Sequence, residues 1–348
     1  MKILFLYTEL AEYFLNCVRS LSSQVDEVLI IHFPVNKEAP FQFTALPANV
    51  KMLDRSKLNL QELKNTCVNF NPDKIVVSGW IDKEYLKVTK SFFSIVPTIM
   101  TLDNQWKGNA KQKLACWLSP IWLKKIFSHV WVPGNSQQLF AEKLGFETNK
   151  ILKGFYVANQ ELYSNYYFDS LEIKKIKMPH RFIYVGRYYD FKGITDLWQA
   201  FIELKKENTN DWELWCLGVG DIPAIEHASI KHFGFVQPKD MQKYISETSV
   251  FVLPSRVEPW GVVVHEFTLA GFPIICSSEV GAASSFLLNG TNGYFFEASN
   301  VEQLKNKMNL FIKKEDSKIL AMGEKSRLLA LKVNVNNWVA SLLNVNLK

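Results

Sequence analysis

The sequence predicts an α/β protein built from two doubly wound parallel-sheet domains. Three observations carry this expectation. Short apolar segments alternate with helical patterns along the chain, the arrangement from which parallel sheets are wound. The 348 residues suffice for two such domains, each with its own core. Residues 181–193 and 250–276 each run from an apolar strand through a polar loop into a helix, which places a helix N-terminus at the carboxyl edge of a parallel sheet.

In chain order, residues 2–7 read as an opening buried strand, too short for a signal peptide, followed by a helical pattern over 10–21. Strands are expected at 27–33, 73–79 and 97–102, with helices such as 84–93 between them. Residues 129–134 form the next strand and turn. Ser136 is placed as the cap of a helix that runs to about 144 and is closed by Gly145. The first domain is taken as 1–160. Over 156–178 the pattern weakens into Asn, Tyr and Ser and then a charged run, so 161–178 is read as a linker. The second domain, 179–333, opens on the strand 181–185. It continues through strands at 212–217, 250–253 and 273–276, with a buried helix over 262–270. The tail reads as two or three helices. In the last, about 334–348, Trp338, Val339, Leu342 and Leu343 form one apolar face. That face suits either its own domain or docking elsewhere.

Composition narrows the function classes. The net charge of +6 permits phosphorylated ligands or anionic lipid without demanding either. No basic–aromatic nucleic-acid motif is present, so nucleic acid is not an expected partner. No apolar run reaches the roughly 18 residues of a membrane span. The five dispersed cysteines fit buried thiols in a reducing cytoplasm. The histidines are scattered without metal-ligand spacing, and His265 is expected to pack.

Two carboxylates focus the chemistry. Glu258 lies in the loop after the 250–253 strand, and Glu266 lies one to two turns into the following helix. Amides at Gly261, Val262 and Val263 would carry partial positive charge at that helix mouth, a setting for phosphate. Glu258 can then accept sugar hydroxyl protons and Glu266 those of a ribose. Alternatively both are solvated charges, though Glu266 sits among Val264 and residues 267–270, a poor place for an unpartnered carboxylate. Upstream, Gly186-Arg187 and Lys192-Gly193 set two cations at a strand–helix junction. Fixed cations there would neutralise a diphosphate leaving group.

Pro254-Ser255-x-x-Glu258-Pro259-x-Gly261, Glu266 and Ala270-Gly271-x-Pro273, preceded by the Arg187 and Lys192 pair, resemble the signature of retaining glycosyltransferases of the GT-B fold, most closely family 4. The resemblance implies two Rossmann-like domains facing a cleft, with a last helix that crosses back onto the first domain. It implies retaining transfer of a sugar from a nucleotide-diphosphate-sugar to a hydroxyl of a glycan or lipid-linked acceptor, as in cell-surface polysaccharide or lipopolysaccharide synthesis. No cofactor or metal is implied. Phe235 and Val236 would meet the base through their backbone. An epimerase or hydrolase of the same fold, or a non-catalytic nucleotide-sugar-binding relative, are the alternatives.

Acceptor-side candidates follow the strands of the first domain. The Tyr7-Thr8-Glu9 loop lacks the paired glycines of many relatives. Gly79-Trp80 forms a candidate acceptor wall or, equally, a turn with a packed tryptophan. Asp103, beside Asn104, stands where many relatives carry histidine. It would hydrogen-bond a donor or acceptor hydroxyl or position the nucleophile, or else cap the next helix. Residues 105–131 carry five lysines (107, 111, 113, 124 and 125) and no acid. With Trp106, Trp117 and Trp122 they form a candidate membrane-surface contact, or a half-buried helix with solvated lysines. The expected location is cytoplasmic, at the inner face of the plasma membrane where that contact is made.

Overall fold

The computed structural model of the chain describes all residues except 37, 39, 208 and 348. The chain divides into two compact units, Met1–Val157 with Asn334–Lys348, and Ala158–Val333.

Among its described residues the first unit is built on a seven-stranded sheet. The strands are β1 (Lys2–Tyr7), β2 (Glu27–His32), β3 (Val50–Asp54), β4 (Lys74–Ser78), β5 (Thr98–Thr101), β6 (His129–Val132) and β7 (Ile151–Lys153), in the order β3-β2-β1-β4-β5-β6-β7. Each pairing between these strands is parallel. Buried apolar side chains on both faces drive this: Ile3, Leu4, Phe5 and Leu6 are fully enclosed, as strands covered by helices on both sides must be. The order reverses between β1 and β4, so the loops after those strands flank the position where such sheets bind ligands. A hydrogen bond of 2.8 Å between Thr8 Oγ1 and Ser78 Oγ joins these two loops.

The helices of this unit are α1 (Glu12–Ser22), α2 (Leu60–Phe70), α3 (Lys83–Phe92), α4 (Ala110–Leu118) and α5 (Asn135–Lys143). Gly134, not Ser136, stands at the N-cap of α5, and no side chain caps it. The tail helix Val335–Leu343 also belongs to this unit. It is held by Trp338, whose Nε1 donates to the Phe155 carbonyl at 2.8 Å and whose ring lies 4.8 Å from Trp131. The Lys74 ammonium donates to the carbonyls of Leu342 and Leu343. A cation is favourable at these end carbonyls of a helix, while burial lowers this ammonium's pKa to about 8.

The second unit carries β8 (Arg181–Val185), β9 (Glu213–Leu217), β10 (Ile230–His232), β11 (Val250–Leu253), β12 (Ile274–Ser277) and β13 (Gly293–Phe296), in the order β10-β9-β8-β11-β12-β13. Again the pairings between these strands are parallel. Its longer helices are α6 (Gln160–Ile176), α7 (Ile194–Glu207), α8 (Gln242–Ser246), α9 (Val262–Leu269), α10 (Ala283–Phe286), α11 (Val301–Ile312) and α12 (Asp316–Ala330), which makes Val335–Leu343 α13. β8 and β11 are neighbours at the order reversal, with Phe251 opposite Ile183. The two loops that carry the candidate cations and carboxylates therefore leave adjacent strands.

The stretch read as a linker is instead α6. Its inward stripe is Tyr163, Tyr166, Ser170 and Lys174, at helical spacing but without aliphatic residues, which hides the periodicity. Tyr166 donates to the carbonyls of Pro238 and Lys239 at 3.1 and 2.9 Å. Lys174 lies 3.9 Å from the Phe272 ring centroid, and burial pulls its ammonium down to about 7. His265 packs, as the sequence suggested. Its Nδ1 accepts from Ala158 N–H and its Nε2 meets the Ala330 carbonyl, both at 3.1 Å. That pattern requires a neutral ring with the proton on Nε2. Burial accordingly lowers its pKa to about 4.

Candidate active site

The loop after β8 is built on close backbone contact. Gly186 N–H donates to Leu217 O at 3.0 Å, and Tyr188 N–H to Val219 O at 2.9 Å. A side chain at Gly218 would begin 1.9 Å from the Gly186 carbonyl, so the 218–220 turn can seat this loop only as glycine. Arg187 emerges half-buried, with its guanidinium 5.5 Å from the Tyr189 ring centroid. Lys192 ends a short 3₁₀ turn, and α7 starts two residues later. Gly193 between them has φ +66°, and a Cβ there would lie 2.2 Å from the Pro254 carbonyl. The lysine loop is thereby pressed against the end of β11.

The loop after β11 meets it. Lys192 Nζ donates to Glu258 Oε2 at 2.6 Å, and Ser255 Oγ donates to the same oxygen at 3.1 Å. Glu258 is only 8% exposed. Taking two charges out of water makes such a pair nearly neutral in net stability, but removing one partner strands the other. Arg256 locks the clasp from outside. Its Nε and Nη2 hold both oxygens of Asp196 at 3.0 and 2.7 Å, and Nη1 reaches Asp190 at 2.7 Å. Its own N–H and that of Val257 donate to Phe191 O. Hydrogen bonds to Asp196, then its charge, raise the guanidinium pKa further, as expected for a bidentate fork. From the next loop, Gly281 and Ala282 donate to the carbonyls of Glu258 and Trp260 at 3.1 and 2.8 Å.

Gly261 turns the chain into α9 with φ +90°, a conformation that suits glycine. No side chain caps this helix, so the amides of Val262 and Val263 open it without a side-chain acceptor. Glu266 is half-buried within it. Burial pushes its carboxyl up to about 7, opposed by a hydrogen bond from Tyr163. In the unfolded chain the same group titrates near 4.5. Between those values the folded protein holds a proton that the unfolded chain has released. The stabilisation is therefore complete below pH 4.5 and lost as pH rises to 7. The stability of the native protein relative to Glu266→Gln should fall by up to about 3 kcal/mol across this window and level off above it. Denaturant melts of both proteins from pH 4.5 to 8.5 measure this; a difference independent of pH would refute the assignment.

In the first unit, Asp103 is half-buried at the end of β5. Its Oδ2 accepts from the Tyr156 hydroxyl at 3.1 Å, and the Asn104 amide approaches Oδ1 at 3.4 Å. It does not cap a helix, because Asn109 caps α4. Asp103 and Glu9, the latter exposed, are both close enough to raise the pKa of Tyr7, after burial, Tyr13 and Cys17. Gly79 follows β4 with φ +68°. Trp80 packs against Trp122 and Phe140, ring centroids 6.3 and 6.1 Å away, and Asp82 caps α3.

The structure brings Lys192, Glu258 and Gly261 together, with Arg187 in the adjoining loop and Glu266 down α9. Phe235 and Val236, both half-buried, follow Gly234, whose carbonyl accepts from Gly218 N–H at 2.7 Å and so reaches the same group of loops. Ser255, Arg256, Tyr163 and Tyr156 hold the candidates in place and were not singled out by sequence. Ser255 lay inside the recognised motif, whereas Tyr163 and Tyr156 lay in stretches without a legible pattern.

Comparison with known proteins adds to this geometry. Residues 169–328 match the family model described as glycosyl transferases group 1. A Haemophilus influenzae protein described as an uncharacterized glycosyltransferase is 27% identical over 157 residues, 42% of this chain. The matched region spans 43% of that relative's length. Among solved structures, a glycosyltransferase from Rickettsia africae superposes with a TM-score of 0.72 at 16% identity, covering 98% of this chain and 96% of its own. Anabaena Alr3699/HepE, solved with UDP and glucose, superposes with a TM-score of 0.71 at 16% identity, covering 99% of each chain. The fold is GT-B, and residues 169–328, within the second unit, are similar to glycosyl transferases of group 1.

Proposed function

We propose that the protein is a retaining glycosyltransferase. It moves a sugar from a nucleotide-diphosphate-sugar to a hydroxyl of a glycan or lipid-linked acceptor in cell-surface polysaccharide synthesis, at the cytoplasmic face of the membrane. The observation that carries this reading is the Lys192–Glu258 pair at the order reversal of the second sheet, beside the uncapped start of α9. Cation, carboxylate and helix amides converge there on the spot where such sheets take nucleotides.

In this reading Arg187, Lys192 and the amides of Val262 and Val263 hold the diphosphate. Glu258 takes sugar hydroxyls, Glu266 the ribose, and the backbone of Phe235 and Val236 the base. As the bond from the anomeric carbon to the phosphate oxygen breaks, negative charge collects on that oxygen. Cations already fixed there lower the barrier without reorganising. The acceptor oxygen bonds to the anomeric carbon from the same face, and its proton passes to the departing phosphate oxygen. Asp103, steadied by Tyr156, hydrogen-bonds a hydroxyl on the acceptor side. Donor binding must share or open the Lys192–Glu258 contact, since each partner now occupies the other.

A thermal-shift panel of UDP, GDP, ADP, CDP and TDP, without and with magnesium, tests the reading. A ligand bound only by the native state raises the melting temperature as its concentration exceeds its dissociation constant. One nucleotide should stabilise clearly, and Glu266→Ala should lose that response. No stabilisation by any of the five would sink the proposal.

A further inference from the structure

Helix α4 stands out by what it leaves uncovered. None of its nine residues is buried. Ala115 and Cys116 only lean on the core of the first unit, and Trp106 tucks inward, 5.6 Å from Phe140 with the Lys143 ammonium over its ring. The opposite face is apolar and bare. Leu114 and Trp117 stand at i and i+3 of α4 with exposures of 56 and 75%; Ile121, in the 3₁₀ turn Ser119–Ile121 that follows, is 75% exposed, and Trp122 after it is 36% exposed. Residues three apart share one side of a helix, so Leu114 and Trp117 lie together, and the turn continues the apolar run. Lysines 111 and 113 are exposed on α4, lysines 124 and 125 are exposed in the turn after Trp122, and no acidic residue lies between 105 and 131.

We propose that this face is a docking surface for an anionic phospholipid bilayer. A cluster of bare aliphatic and aromatic side chains marks an interaction site rather than ordinary surface. Leucine and isoleucine enter the acyl boundary, the tryptophans sit among headgroups, and the lysines meet lipid phosphates. A second copy of the chain fits poorly, because face-to-face pairing sets two rings of lysines against each other. The surface differs from the one expected from sequence: Trp106 drops out, while Leu114 and Ile121 enter. The inference deepens the acceptor side of the proposed function and rests on that reading for its purpose, though not for its geometry.

Cosedimentation with vesicles tests it. The full chain should pellet with phosphatidylglycerol–phosphatidylcholine vesicles at low salt and not with pure phosphatidylcholine. Trp117→Ser/Ile121→Ser, both surface changes, should lower the bound fraction about tenfold or more. Lys124→Gln/Lys125→Gln should weaken binding and flatten its salt dependence. Equal binding to both vesicle types, no binding, or unchanged binding by the variants would overturn the proposal. So would a dimer in size-exclusion chromatography that the Trp117/Ile121 variant converts to monomer, which would assign the face to a second copy. Both variants should keep the nucleotide-dependent thermal shift. Lipid binding without any nucleotide response would leave the docking surface standing and the transfer reading refuted, and the reverse result would do the opposite.

Discussion

Replacing Lys192 by alanine should abolish sugar transfer, lowering kcat by about 10³-fold or more, the scale seen when one preorganised group that stabilises developing charge is removed. The lysine serves the leaving diphosphate in the proposed reaction, but it also neutralises Glu258, which is 8% exposed. Its loss therefore leaves a nearly enclosed carboxylate with Ser255 as a remaining partner, and the native state should weaken by a few kcal/mol. The double variant Lys192→Ala/Glu258→Gln separates the two effects. Removing the stranded charge should restore much of the melting temperature and none of the turnover. Wild-type rates in Lys192→Ala would defeat the assignment, and recovery of turnover in the double variant would reduce the lysine to a structural partner.

Gly193→Ala should be a severely damaging single methyl in the second unit's candidate site, as a methyl at Gly218 would be. At φ +66° any L-residue is strained, and the added Cβ would fall 2.2 Å from the Pro254 carbonyl, a backbone atom that cannot swing aside. The expected destabilisation is about 3 kcal/mol, roughly 6–12 °C in melting temperature for a domain of this size. Nucleotide stabilisation should vanish with it, because the lysine loop and the Glu258 loop part. Gly234→Ala is the control: its φ is +70°, but nothing lies within 4 Å of its Cβ position, so only the backbone cost of about 1 kcal/mol remains. Calorimetric scans showing equal losses for both variants would mean that close approach at Pro254 decides nothing.

The fold was legible because its cause is local and repeated. Apolar runs such as Ile3–Leu6 and Val250–Leu253 carry strand character by themselves, and alternation with helices implies parallel winding. Gly-Arg, Lys-Gly and the spaced glutamates were visible for the same reason, since each is a short pattern at a strand end. Segments whose helical stripe is made of Tyr, Ser and Lys, as in α6, gave no such signal. The direction in which Trp80 and Trp106 point depended on Phe140, a residue of another helix.

By itself the sequence determined the two-sheet architecture and which loops carry cations and carboxylates, because residue type and periodicity are properties of neighbouring positions. Only the tertiary structure decided the pairings: Lys192 with Glu258, Arg256 with Asp190 and Asp196, Tyr163 with Glu266, Tyr156 with Asp103. Each joins residues 50 or more positions apart or more than one hundred, as with Tyr163 and Glu266. Strand order brings them together: β8 and β11 become neighbours only when the sheet is wound, and their loops meet as a consequence.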